Sequence, residues 1–260
     1  MDNIKKKNTP LVSVILPNYN NDKYLDKSIN SVIAQTFINW ELFIIDDASS
    51  DNSLKIIDKY KNKENITILI LKKNKGVSFC RNLGMRLSRG KYIAFLDSDD
   101  FWTNNKLDGQ IKFMSTKGYQ FSFSDYFSFK DEDYKKTKQT SITRKFCFDS
   151  FIKNTSINTS TMILEKKIVA NLKFPKLKLL EDYIFKCKIL QKGHFAYKYE
   201  QITAAYRIQK KTRSSNLLKN FFFLVYYNHK INRLSMLKNL CAVINVFINS
   251  LKKYGLLKYF

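Results

Sequence analysis

The sequence predicts an α/β protein: a mostly parallel, doubly wound sheet flanked by helices, with a helical C-terminal extension. Three observations carry that expectation. Short apolar runs alternate with segments of helical period over about the first hundred residues, as in a parallel sheet with crossover helices. Those runs stop at clusters of Asp, Asn and Ser. The 260 residues are 44% hydrophobic and 15% aromatic, enough for one large core or two small ones.

In order, the chain opens with a basic lead containing Lys5, Lys6 and Lys7. Leu11 to Leu16 reads as a buried strand closed by Pro17, and Asn20 to Asp22 supply turn chemistry. Leu25, Ile29, Val32 and Ile33 then recur at helical spacing. Trp40 to Ile45 is a second strand, ending in Asp46-Asp47. Ser49 to Ser53 precede a helix with Leu54, Ile57 and Tyr60 expected inward. Ile66 to Leu71 is a third strand, and Asn74-Lys75-Gly76 turns into a helix through Leu87. Gly90 leads into Tyr92 to Leu96, the expected central strand, followed by Asp97-Ser98-Asp99-Asp100.

Beyond that strand, Tyr119 to Phe129 alternates aromatic with small polar residues, which suits a strand or hairpin. Lys130 to Lys145 is a charged stretch expected to be exposed. Asn154 to Thr161 is rich in Ser, Thr and Asn, able to line a sugar site or to form a plain polar loop.

The strand ends carry the chemistry, because ligands of open parallel sheets collect beyond the carboxyl ends of the strands. Asp97 and Asp99 alternate in an extended chain, so both could face one hard cation such as Mg²⁺ or Mn²⁺. An Asp-rich turn accounts for the same residues without a metal. The Tyr19 ring can stack on a nucleobase and a carboxylate such as Asp47 can accept its N–H; ordinary packing and helix capping are the structural alternatives. Glu181 and Asp182 open a helical pattern through Ile184, Phe185, Cys187 and Leu190, where acids also favour the positive first turn.

A net charge of +24 points to polyanionic company: nucleic acid, an acidic membrane face or phosphorylated substrates. A nucleic-acid partner is not expected. There is no zinc-ligand spacing, no RNA-binding aromatic motif, and the basic residues are spread along the chain. The four cysteines are scattered, which fits reduced thiols in the cytoplasm. No secretory leader is expected, since Met1 to Asn8 is polar. Beyond Glu200 the chain has no Asp or Glu, while Lys and Arg flank the apolar runs Phe221 to Val225 and Leu234 to Leu251. Asn239, Asn245 and Asn249 make the second run a poor spanning helix. It reads either as an in-plane helix on an anionic leaflet, each nearby cation adding ~1 kcal/mol, or as a cap packed on the preceding domain.

Five separated segments resemble the family 2 inverting glycosyltransferases of the GT-A fold, bacterial surface-glycan type. They are Val12-Ser13-Val14-Ile15-Leu16-Pro17-Asn18-Tyr19-Asn20, Ser31 to Phe37, Ile45 to Asp51, Asn74 to Ser78 with Arg81 to Gly84, and Leu96 to Asp100. Weaker echoes lie at Leu180-Glu181-Asp182-Tyr183 and Ala205-Tyr206-Arg207, where the family often has a histidine at the position of Gln209.

The resemblance implies a GT-A-like (Rossmann-like) catalytic domain over 11–206, with a nucleotide-sugar half (11–115) and an acceptor half (116–206). The basic lead, 1–10, precedes it and the extension, 207–260, follows. Pro17 and Tyr19 would border the nucleobase, Asp47 would bind uracil, and Arg81 would help with phosphate charge. Asp97 would lie near ribose and metal, Asp99 would be the principal ligand of Mn²⁺ or Mg²⁺, and Asp182 would be the catalytic base, with Glu181 in support. The implied reaction is transfer from a nucleotide-sugar donor, UDP-linked, to a glycan or lipid-linked acceptor. The implied setting is the cytoplasmic face of the inner membrane. The competing readings are a sugar nucleotidyltransferase, whose Gly-rich phosphate loop is missing from Pro17 to Asn21, a basic nucleic-acid-binding protein, and an inactive binding relative.

Overall fold

The structure is a computed structural model that describes residues 10–129, 137–139, 143–208 and 217–254. The lead, most of the Lys130 to Lys145 stretch, Gln209 and the end of the tail therefore lie outside the described residues. The first half runs β1 (Val12–Asn18), α1 (Asp22–Ile33), β2 (Trp40–Asp46), α2 (Ser53–Asp58), β3 (Ile66–Ile70), α3 (Val77–Leu87) and β4 (Tyr92–Phe95). Then follow β5 (Phe101–Trp102), α4 (Lys106–Lys117), β6 (Phe121–Phe129), β7 (Thr137–Gln139), β8 (Lys145–Phe146) and α5 (Phe148–Asn154). A 3₁₀ turn at Thr159–Thr161 leads to β9 (Ile163–Glu165), α6 (Lys166–Val169), α7 (Glu181–Gln191) and β10 (Ala196–Arg207). The helices α8 (Leu217–Lys230) and α9 (Met236–Tyr254) complete the order.

One mixed sheet runs β3-β2-β1-β4-β9-β6-β10-β5, with β7 on β6 and β8 on β10. Its long ladders, β1–β2, β2–β3, β1–β4 and β6–β10, are parallel, and short antiparallel pairs join the halves through β9. Alternate residues feed two cores. Ile15, Phe43 and Phe95 pack on one face with α3, α5 and α7, while Val14, Leu16 and Ile44 pack on the other with α1, α2 and α4. Burial on both faces is why these strands read as continuous apolar runs.

Three local expectations are corrected. β1 continues through Pro17 to Asn18. Leu96 N–H donates to Ile15 C=O, so the proline nitrogen, two residues on and on the same side, falls past the end of β4, where no donor is needed. Leu54 is 38% exposed because Ser53 and Ile57, at i and i+4, make up the inward face of α2, and Tyr60 is buried just beyond its end. Finally, Asp97 to Asp100 is not extended: Asp100 N–H bonds Asp97 C=O, closing a turn.

Candidate active site

The parallel register places the loaded loops at one sheet edge. Asn18 is paired with Asp46, and Ile15 with Phe95, so the segments after β1, β2 and β4 leave the sheet side by side. Asp46 joins two of them: its carboxylate accepts from Asn18 Nδ2 (2.8 Å), Ser49 N–H (2.9 Å) and Ser49 Oγ (2.6 Å). Tyr19 and Asp47 follow directly. The Tyr19 ring is 51% exposed, whereas Pro17 and Asp47 are buried. Asp47 Oδ1 accepts the Lys75 N–H at 2.7 Å and Oδ2 the Gly76 N–H at 2.8 Å, which fixes the turn into α3. Each oxygen keeps a further lone pair. Burial, then the Asp47 charge, pushes the Cys80 thiol beneath it up to about 12, so this cysteine is inert.

The Asp97–Asp100 turn is braced from three elements. Ser28 Oγ donates to Ser98 C=O at 2.8 Å, and Asn21 Nδ2 reaches Ser98 Oγ at 2.8 Å. Buried Asp100 accepts from Ser160 Oγ (2.6 Å) and Arg207 N–H (3.0 Å), and Arg207 Nε donates to Asp99 C=O at 3.0 Å. Asp97 and Asp99 remain half-buried. Burial first, then the charges of Asp99 and Asp97, holds the Asp100 carboxyl well above the usual range. Three carboxylates thus share one field. Arg207 stacks over Tyr24 at 3.9 Å and serves as a brace for this turn.

Next to the turn opens a cavity of about 430 Å³. Arg81, Asp97, Glu181 and Asp182 form one wall, Asn154 to Thr159 a second, and Asn220, Val246 and Asn249 of α8 and α9 a third. Arg81 is buried, not a helix-surface arginine. Its Nη2 lies 2.6 Å from Asp97 Oδ1, its Nη1 3.6 Å from Glu181 Oε1, and its guanidinium sits 5.3 Å over the Phe174 ring. Nε and Nη1 are buried without a hydrogen-bond acceptor. Burial alone would lower its pKa, but Asp97, Glu181 and Asp182 together raise it.

Asp182 stands in the first turn of α7, about a third of its side chain exposed to the cavity. Oδ2 accepts from Lys186 Nζ at 2.7 Å and from Thr159 Oγ1 at 3.1 Å. Among the described residues Oδ1 makes no hydrogen bond. Against the upward push of burial, Lys186, then Arg81 and Thr159, hold this carboxyl well below the usual range. The residue before the helix, Leu180, adopts φ 60°. Asn20, Ala48 and Thr155 share that left-handed conformation and border the same region, beside Tyr19, beside Asp47 and in the cavity wall. Non-glycine residues held there cluster at functional sites.

Asp97, Arg81 and Asp182 are therefore brought into one cavity, with Tyr19, Asp47 and Asp99 on adjoining loops of the same sheet edge rather than in its lining. Sequence reasoning missed Lys186, although its i, i+4 spacing from Asp182 was the available signal. The Asn154 to Thr161 stretch, read as able to line a sugar site or as a plain polar loop, does line the cavity through Thr159, whereas Asp100 as a brace and the wall from α8 and α9 were missed, for which no local signal exists.

Known proteins place this geometry in a family. The profile described as "Glycosyl transferase family 2" matches residues 13–187. The TuaG protein of Bacillus subtilis, whose name makes it a glycosyltransferase of teichuronic acid biosynthesis, is 31% identical over 94% of this chain and 97% of its own. WfaP of Escherichia coli, named UDP-Glc:alpha-D-GlcNAc-diphosphoundecaprenol beta-1,3-glucosyltransferase, is 35% identical over 80% of this chain and 82% of its own. Among solved structures, S. aureus TarS 1-349 in complex with UDP-GlcNAc superposes with a TM-score of 0.71 at 20% identity, covering 95% of this chain and 74% of that one. That likeness shows the fold, the mixed α/β architecture expected of the GT-A type. The chain belongs to glycosyl transferase family 2 and is a glycosyltransferase.

Proposed function

We propose that this glycosyltransferase moves a sugar from a UDP-linked donor to a hydroxyl of a lipid-linked, surface-glycan acceptor, with inversion. One observation carries the reading: the unengaged Oδ1 of Asp182 opens to the cavity that also holds Asp97 and Arg81. The names of WfaP and of the TarS complex, with a UDP-sugar in each, support the donor class.

In an inverting displacement the acceptor hydroxyl attacks the anomeric carbon opposite the departing diphosphate. Asp182 Oδ1 receives the hydroxyl proton while Lys186 and Thr159 keep Oδ2 in place. The low carboxyl pKa ensures that the base is ionised near neutrality, and a positioned base contributes about 10²–10⁴-fold. The Arg81 guanidinium, kept charged by Asp97, Glu181 and Asp182, supplies positive charge from the cavity wall toward the diphosphate. The exposed Tyr19 ring stacks on the base, Pro17 borders it, and the remaining lone pairs of Asp47 accept its N–H.

The residues fit a divalent metal completed by the donor. Asp97 and Asp99 are half-buried and close enough to raise the Asp100 carboxyl by their charge, so a cation there relieves mutual repulsion. Two carboxylates are the kind of oxygen ligand Mg²⁺ or Mn²⁺ takes, with water and phosphate oxygens making up the rest of the shell. Bound there, the ion supplies charge neutralisation of the leaving diphosphate.

A lipid-linked acceptor places the enzyme at the cytoplasmic leaflet. No helix among the described residues is long and apolar enough to cross a membrane, and a peripheral association is the reading that the basic tail supports. The test is UDP release from a panel of UDP-sugars, with and without Mn²⁺. Metal-dependent release with one or more donors is expected, and no release with any donor refutes the reading.

A further inference from the structure

We propose that the outer face of the α8–α9 hairpin is a lipid-docking surface, lying in the plane of an anionic leaflet. The two helices have different inner and outer faces. Inward, Leu224, Tyr227 and Ala242 join the core below the sheet, and the buried Asn228 and Asn239 bond to Tyr183 and to Val225 C=O. Outward, Leu237, Leu240, Ile244 and Ile248 of α9 are exposed at i, i+3, i+7 and i+11, one continuous apolar stripe. On α8 the exposed series Lys219, Phe222, Tyr226 and Lys230 follows the same spacing, with two aromatic rings between two cations. Leu237 is 74% exposed and Phe222 66%, the Phe222 ring meeting Phe223 and Tyr226 of its own helix while most of its surface faces solvent among the described residues.

Charge decides what covers the stripe. No acidic residue follows Glu200, Lys230 and Arg233 are exposed beside the stripe, and the chain carries +24 overall. A second copy would bring the same +24 against this face and be repelled, whereas an anionic lipid surface is attracted. Apolar stripe, aromatic rings and flanking cations together are the pattern of a helix lying in the headgroup region.

The opposite side of the hairpin is the cavity wall, through Asn220, Val246 and Asn249. Docking would therefore set the cavity about one helix diameter, ~10 Å, from the bilayer surface. This placement relative to a lipid-linked acceptor rests on the proposed function; the lipid contact itself does not.

The test is co-sedimentation of the full chain with vesicles of phosphatidylcholine containing about 30% phosphatidylglycerol, against phosphatidylcholine alone. Binding to the anionic vesicles, weakened by salt, is expected. The exposed triple variant Leu237→Gln, Leu240→Gln, Ile244→Gln should lower partitioning about tenfold or more. Lys230→Gln with Arg233→Gln should lower it by a similar factor, about fivefold per cation. Unchanged thermal unfolding shows that the variants fold, and UDP release in vesicle-free buffer should stay at the wild-type level. Equal binding of wild type and both variants, or no wild-type binding to anionic vesicles, overturns the proposal. So does a wild-type dimer in sedimentation velocity that the triple variant dissociates without loss of lipid binding. Absence of UDP release would count against the proposed reaction alone, because vesicle binding is read separately.

Discussion

Lys186 Nζ lies 2.7 Å from Asp182 Oδ2, one turn along α7, with the lysine buried and the carboxylate in the cavity wall. The same ammonium donates to Ile157 C=O at 2.7 Å, so it joins the helix to the loop opposite. The pair holds one carboxylate oxygen and leaves the other for the proposed acceptor hydroxyl.

Lys186→Met tests that coupling through pH. The native Asp182 carboxyl is held low, so it stays ionised until pH falls well below the ordinary carboxylate value of about 4. Removing the ammonium raises this pKa, and the acid limb of kcat/KM should move upward by about one pH unit or more. The stability from the pair is fully present above the unfolded pKa, about 4, and is lost as pH falls through the native one. A buried pair broken on one side costs 3–5 kcal/mol in general; solvent at the exposed third of Asp182 reduces this to about 2 kcal/mol. Urea unfolding at neutral and acid pH checks both signs, with the gap to wild type shrinking as pH falls.

Asp99→Asn tests the metal reading. With one carboxylate removed beside Asp97, the Mn²⁺ concentration for half-maximal UDP release should rise about tenfold or more. A chelator should abolish release by the wild type and added Mn²⁺ should restore it.

Asp47→Ala separates architecture from donor binding. It strips the acceptor from the Lys75 and Gly76 amides, at about 3–6 kcal/mol for two bonds to a charged group. The loss should appear in urea unfolding without donor. UDP affinity, measured by calorimetry at a temperature where the variant is folded, should fall as well.

Gly84→Ala probes the packing beneath the site. A Cβ at Gly84 would meet Ile15 Cγ2 at 2.6 Å, so α3 must move away from β1. Overpacking of this kind costs about 1–3 kcal/mol. Thermal unfolding should show that loss, with metal dependence unchanged.

Much of the architecture of the first half was legible because it is local. Leu42, Phe43, Ile44 and Ile45 form an unbroken apolar run because both faces of β2 are buried, and Asp46-Asp47 mark where the strand leaves the core. The segment holding Arg81 and Gly84 was legible as a motif, but the reasons for it were not. Arg81 pairs with Asp97, sixteen positions away, and Gly84 of α3 admits the Ile15 side chain of β1. The extended Asp97–Asp99 expectation failed because Ser28, Ser160 and Arg207, all remote in sequence, brace a turn there. The tail held two readings that exclude each other only for a helix with one apolar face. α9 has one face on the core and another in solvent, with asparagines such as Asn239 buried and bonded.

The most direct test of the central claim is turnover by Asp182→Asn with a saturating UDP-sugar and acceptor. The isosteric amide keeps the shape of the cavity and cannot accept the proton, so kcat should fall by about 10²–10⁴-fold while UDP affinity stays at the wild-type value. Transfer at the wild-type rate by Asp182→Asn would contradict the assignment of Asp182 as the base.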